Sequence, residues 1–316
     1  MLYRSDGSDQ DLAIDEIRPP DDKNDLLWVD IDCEAPELVE RVAEKLGIPE
    51  EALPHLTQFG QAPLLRSYGD YLVIQAVVAH HAGELRFDGV VLTVAAGPEF
   101  VLTLHHRPIE FIPAIRKREH GDTRLGMLNE ASFVVSLLDW QLGSYFAAVS
   151  DFEREVERLE QDVLRNRYDQ STNELSRMRK GASRLRRMLA PHRRLYASLA
   201  RPDFHPDHDD QVTRQFQQLN ENFERAMDVV ENARELVIGS FELFSNQIAL
   251  RTNRSMQLLT FATVVIGCQT VIAGVLGMNF DAPFFNTAAL GFWIAIGGML
   301  AVTVIAAIVG KYKKWF

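Results

Sequence analysis

Two uncharged stretches near the end of the chain are long enough to cross a bilayer, and they constrain everything that precedes them. Residues 258–276 are 19 in a row with no ionisable side chain except Cys268, and residues 288–309 are 22 in a row with none. A spanning helix needs about 20 apolar residues to cross roughly 30 Å of hydrocarbon. A core helix of a soluble domain rarely stays free of charge on every face for that length. Both runs therefore read as membrane helices. The link between them, residues 277–287, is short enough only for a hairpin whose outer ends lie on the same side.

Charge fixes the orientation. Arg251 and Arg254 flank the first run, Lys311, Lys313 and Lys314 flank the second, and the link has no Lys or Arg. By the positive-inside rule both termini are expected in the cytoplasm and the link outside, in an inner (plasma) membrane. Trp315 and Phe316 read as interfacial anchors. Residues 251–316 balance to +4, so the total of -11 leaves -15 on residues 1–250. That acidic part is expected to be cytosolic: residues 1–11 are polar and acidic, without the basic-then-apolar profile of a signal peptide. The acidity argues against a nucleic-acid partner, which would require a basic face. Cys33 and Cys268 make no disulfide framework.

Residues 1–120 read as a cytosolic α/β domain with a largely antiparallel sheet. The runs 26–31, 71–78, 85–94 and 100–105 are rich in β-formers and separated by Gly and Pro punctuation. Residues 36–46 and 108–118 read as helices, the first starting at Pro36 and stopping at Gly47. Residues 121–209 are a helical region, with helices over 128–166 and 170–200. From about Asp210 no strong breaker appears before Gly277. Val212, Phe216, Leu219, Phe223, Ala226, Val230, Ala233 and Val237 recur at alternating spacings of four and three, a heptad seam. Such a helix over 210–276 would be about 100 Å long. Its part over 210–257 is expected to form a cytosolic stalk packed by the two helices before it, and 258–276 the first membrane helix. The second membrane helix covers 288–310, and 311–316 is a basic tail. The fold class is thus an α+β cytosolic domain, a long helical stalk and two C-terminal transmembrane helices.

The first membrane helix and its approach carry a polar stripe. Asn253, Met256, Thr260, Thr263, Gly267, Thr270 and Gly274 follow one another at spacings of three and four. Small and hydroxyl residues on one face serve close helix packing, or they line water. One hairpin has no interior, so a conduit would require a ring of copies around the long helix. Gln269, read as lying on an adjacent face, is expected to bond a neighbouring helix.

Directly after this helix stands Gly277-Met278-Asn279. Here the chain resembles the CorA family of divalent-cation channels, whose signature is this tripeptide before a short loop and a terminal span. The basic ending from Lys311 to Phe316 and the run Trp28-Val29-Asp30-Ile31 also fit. The resemblance implies a funnel-shaped homopentamer that moves Mg²⁺, with Co²⁺ and Ni²⁺, and has no cofactor besides transported or regulatory metal. Its first spans would line the pore, with Thr270, Gly267, Thr263, Leu259 and Asn253 on the path and a hydrophobic constriction at Met256 and Leu259. Gly277, Met278 and Asn279 would form the outer selectivity filter. Mg²⁺ sheds water reluctantly, and a ring of Asn279 carboxamides offers its hydration shell neutral acceptors. No Gly-x-x-x-x-Gly-Lys-[Ser/Thr] loop or catalytic triad is present, so no enzyme is expected.

The chain departs from the family in two places. Gly267-Cys268-Gln269 stands where many relatives have Met-Pro-Leu, and Asp281-Ala282-Pro283-Phe284 follows where Met-Pro-Glu-Leu is common, leaving Asp281 as the anionic candidate at the mouth. The ZntB zinc transporters, similar in architecture, supply the alternative of proton-coupled Zn²⁺ uptake. A non-conducting coiled-coil scaffold is the other alternative. The family's regulatory Mg²⁺ sites lie on acidic residues between subunits, but many relatives have an acidic pair where this chain has Pro54-His55, so no sensor residue is assigned. The segment His205-Pro206-Asp207-His208-Asp209-Asp210 and the pairs His80-His81 and His105-His106 are metal-like in composition. They read as a helix-capping turn and strand ends. The basic segment 180–194 reads as a helix face paired with acids.

Overall fold

The computed structural model describes residues 1–316 except 5–9, 33–35, 59, 61, 84, 119–128, 166–170, 202–203, 205–209, 279–287 and 313–316, and except the side chains of 117–118, 171–172 and 288–289. Its contacts divide the chain into two compact units, Met1–Ser240 and Phe241–Phe316.

The first unit is built on a six-stranded sheet. Its strands are β1 (Leu2–Tyr3), β2 (Leu26–Asp32), β3 (Leu64–Tyr68), β4 (Tyr71–His81), β5 (Phe87–Gly97) and β6 (Phe100–His105), in the order β1-β2-β6-β5-β4-β3. Every pairing is antiparallel except β2 with β6, where Trp28 lies beside Val101 and Asp30 beside Thr103. The four long strands follow from near-continuous runs of β-formers, buried on both faces because helices cover each side of the sheet. Strands β1 and β3 carry no such run; β3 has no fully buried residue, so no apolar run marked it.

Alternation sends Leu27, Val29, Ile31, Phe100, Leu102 and Leu104 to one face, where α1 (Pro36–Lys45) packs Val39, Val42 and Ala43, joined by Leu46 and by Leu56 of α2 (Leu53–Thr57). Helix α1 ends where Gly47 adopts φ +66°, a left-handed turn that glycine takes without steric penalty. The amides of Gly47 and Ile48 bond back to Glu44 and Ala43. On the other face Trp28 meets Phe133 of α4 (Glu130–Leu164) edge to face, ring centres 5.3 Å apart. A short α3 (Phe111–Arg118) precedes α4. Helix α4 begins at Asn129, whose side chain accepts from the Ser132 amide at 2.8 Å, the expected cap geometry.

Next come α5 (Ser171–Leu189), a 3₁₀ turn at Ala190–His192, and α6 (Arg193–Leu199). The expected single helix over 170–200 is thus interrupted at Pro191, which cannot donate a helical hydrogen bond. Helix α5 lies so close to the sheet that a Cβ on Gly89 of β5 would stand 3.3 Å from the Met188 sulfur and 2.5 Å from Val77.

Helix α7 (Asp210–Leu276) is one uninterrupted helix of 67 residues that passes from the first unit into the second. All eight residues of its heptad seam are buried within the single chain. Phe223 stacks on Tyr196 of α6 at 4.8 Å, Glu231 pairs with Arg186 of α5 and Glu224 with Arg193, both at 2.7 Å, and Asn222 donates to Asp139 of α4. The helices before it therefore pack the stalk, as expected. An intrachain partner fills the heptad seam. The basic segment 180–194 supplies two of those ion pairs.

In the second unit, α7 continues to Leu276 and α8 (Ala288–Tyr312) follows. Both helices are long and apolar enough to cross a membrane, and the apolar stretch of each is unburied in the chain. A soluble core helix would be covered over that length.

Candidate functional site

The stripe residues share one side of α7. Asn253, Met256, Leu259, Thr260, Thr263, Gly267, Thr270 and Gly274 are all exposed in the single chain, Met256 by 61% and Leu259 by 69%. A Cβ on Gly267 or Gly274 would meet no atom within 4 Å. The Thr263 and Thr270 hydroxyls donate to the carbonyls of Leu259 and Ile266, each at 2.8 Å. Their protons are thereby satisfied inside the helix, while their lone pairs remain outward as acceptors.

Helix α8 touches the other side of α7. Ala262, Val265, Gln269, Ile272 and Leu276 are half-buried, and at about 100° per residue their face lies roughly 160° round from the stripe. Gln269 secures the contact: its Nε2 donates to the Met299 carbonyl at 2.7 Å and to Thr303 Oγ1 at 2.6 Å on α8. The expected bond to a neighbouring helix is found, but the residue lies nearer the opposite side than the adjacent one. Cys268 is exposed and unpaired.

At the end of α7, Gly277 forms a turn in which its amide donates to Ala273 at 2.9 Å, and the Met278 amide donates to Val275 at 3.3 Å. The Met278 side chain is exposed. Asn279 and Asp281 lie outside the described residues, as do Cys33, Lys313, Lys314, Trp315, Phe316 and the segment 205–209.

Among the described residues no three His, Cys, Asp or Glu side chains gather as a metal cluster. His81 pairs with Asp151 at 3.3 Å and stacks on Phe87. His105 is buried between Asp30, 3.4 Å from Nε2, and Asp32, 3.8 Å from Nδ1. Burial pushes its pKa down, but the Asp30 and Asp32 carboxylates outweigh it, and the net direction is upward. Asp30 also accepts from Thr103 at 2.5 Å, and Thr103 accepts from the Trp28 indole at 3.0 Å.

A second buried histidine was not marked by any sequence motif. Beyond the end of β3, the open edge of β4 is bonded by side chains. His192 Nε2 accepts the Val77 amide at 2.8 Å, Gln141 and Tyr145 donate to the Val77 carbonyl, and Ser144 accepts the Ala79 amide. With Nδ1 3.1 Å from the Leu189 carbonyl, the ring is a neutral tautomer with its proton on Nδ1. Burial pushes its pKa down to about 4.

A signature tripeptide at the end of a stripe-bearing helix, followed by a second apolar helix that packs behind it, meets its match in known proteins. The sequence model of the family described as CorA-like Mg²⁺ transporter protein matches residues 23–311. The chain belongs to the CorA family. Its members are divalent-cation transporters of the membrane, not enzymes. Over 305 residues the chain is 22% identical to the cobalt/magnesium transport protein CorA of Thermotoga maritima, covering 96% of this chain and 87% of that one. The structure of the CorA magnesium transporter from Methanocaldococcus jannaschii superposes with a TM-score of 0.75 at 20% identity, over 95% of this chain and 94% of that one. The cytoplasmic domain of ZntB from Vibrio parahaemolyticus matches at a TM-score of 0.57 and 15% identity, over 74% of this chain and 89% of that one. At these identities the structural matches establish a shared fold.

Proposed function

We propose that this chain takes up Mg²⁺ through a homopentameric channel of the plasma membrane, with both termini in the cytoplasm, and that Co²⁺ and Ni²⁺ share the path. The ion is the substrate; no other cofactor enters. The pore runs along Asn253, Met256, Leu259, Thr260, Thr263, Gly267, Thr270 and Gly274 of five α7 helices, with the α8 helices as an outer ring. A filter of Gly277, Met278 and Asn279 receives the hydrated ion, and Asp281 raises the cation concentration at the mouth.

The observation that carries this reading is the two-sided character of α7: its apolar, Gln269-bearing side is taken by α8, and its hydroxyl and glycine side is left uncovered. In lipid an uncovered polar face is costly, and symmetric assembly around an aqueous axis resolves that cost. Met256 and Leu259 form the hydrophobic gate on the cytoplasmic side, where a dry ring stops a hydrated ion. The negative cell interior supplies the driving force, roughly 4–5 kcal/mol per 100 mV for a divalent ion.

The test is Mg²⁺ entry into proteoliposomes under an inside-negative potential. Entry should follow the potential and be strongly reduced by Asn279→Ala. Equal flux through that variant, or indifference to the potential, would refute the reading. Zn²⁺ entry that requires an inward proton gradient would instead establish ZntB-like coupled transport. Absence of flux from an intact oligomer would leave the scaffold.

A further inference from the structure

The first unit has a basic groove at the free edge of its sheet. Strand β3 is terminal in the sheet, and only its β4 side is paired. Among the described residues its outer edge makes no backbone hydrogen bond. A groove of about 850 Å³ runs along that edge, walled on its far side by residues of the 3₁₀ turn and α6. Six consecutive residues, 62–67, line it. Strand side chains alternate between faces, so a cavity touched by four successive residues of β3, 64–67, lies along the strand's edge and meets its backbone. Across from that edge stand Arg194, Ser198 and Arg201, with Leu195 as an apolar floor, and Arg66 lies on the strand itself.

Arg66 and Arg194 are out of character with their surroundings. Residues 1–250 carry -15, and other arginines nearby are matched: Arg186 with Glu231 and Arg193 with Glu224. Arg66 and Arg194 make no ion pair among the described residues. An exposed strand edge is normally guarded against further pairing, often by charge. Guarding by arginine repels a basic strand and invites an acidic one.

We propose that this groove binds an extended acidic peptide, which adds to β3 as a further strand. The backbone of β3 would supply the ladder hydrogen bonds, and Arg66 and Arg194 would pair with carboxylates of the peptide. The proposal stands apart from ion conduction, because none of these residues lies on the α7 stripe.

The test uses the full chain in nanodiscs and a fluorescein-labelled peptide of alternating Glu and Val, read by anisotropy. Binding is expected, weakening with salt. Arg194→Gln, which removes one charge-assisted pair, should weaken it about tenfold. Arg66→Gln, on the other wall, should do the same, and serves if the first variant fails to fold. A peptide N-methylated on alternate residues should lose binding with its composition unchanged. The proposal is overturned if the N-methylated or an alternating Lys and Val peptide binds equally well, or if no peptide binds. It is also overturned if inorganic pyrophosphate displaces the peptide at the peptide's own concentration, since the groove would then be reading phosphate.

Discussion

Replacing His192 by glutamine should give a stability difference that disappears on acidification. At neutral pH the ring accepts the Val77 amide and donates to the Leu189 carbonyl, tying the turn before α6 to the open edge of β4. Glutamine can keep one of these bonds and leaves the other group buried and unpaired, a cost of about 1–3 kcal/mol. The folded protein holds His192 neutral down to about pH 4, because burial opposes the charge. The unfolded chain takes up that proton near pH 6.5. Between these two values the unfolded state binds more protons, so stability falls as pH falls, at about 1.4 kcal/mol per pH unit and to a total of about 3 kcal/mol. The contribution is complete above pH 6.5 and lost by pH 4. Glutamine does not titrate, and the carboxylates titrate alike in both proteins and cancel in the difference. Urea unfolding in detergent, followed by the fluorescence of Trp28 and Trp140, should therefore show the parent more stable at pH 7 and the two proteins level, or reversed, near pH 4. A difference that stays within about 0.5 kcal/mol from pH 7 to pH 4 would refute the buried neutral imidazole and the tautomer assigned to it.

His105 should behave in the opposite sense: its raised pKa means that Asp30 and Asp32 stabilise the fold fully below pH 6.5, and this is lost as pH rises through the folded value, so His105→Asn should flatten unfolding midpoints measured from pH 6 to pH 9. Gln269→Leu removes the two bonds to α8 and should weaken the hairpin by about 0.6–1.7 kcal/mol, read as a lower detergent-denaturation midpoint. Phe223→Ala should cost about 3–5 kcal/mol, because the ring is fully buried against Tyr196, and its melting temperature should fall accordingly. Thr263→Leu and Thr270→Leu, on the uncovered side of α7, should leave assembly intact by gel filtration and lower Mg²⁺ flux; unchanged flux would mean that this face only packs.

The sequence by itself determined the parts of this protein in which each residue's environment follows from its neighbours along one helix or strand. The charge-free runs, the uninterrupted helix from Asp210, the β-rich runs around Trp28, Val77, Val94 and Leu102, and the tripeptide after Leu276 were legible because composition, period and breakers are local properties. The tertiary structure alone decided which surfaces meet. The parallel pairing of β2 with β6 joins residues about 75 positions apart, and nothing local encodes it. Strand β3 was invisible because an edge strand without a buried face needs no apolar run. The heptad seam looked the same in sequence whether a second copy or α4, α5 and α6 filled it, since burial leaves one signature whatever the partner. The side of α7 that receives α8 became known only when Gln269 found Met299 and Thr303, for a helix's faces are distinguished by contacts that the chain makes long after it has turned back on itself.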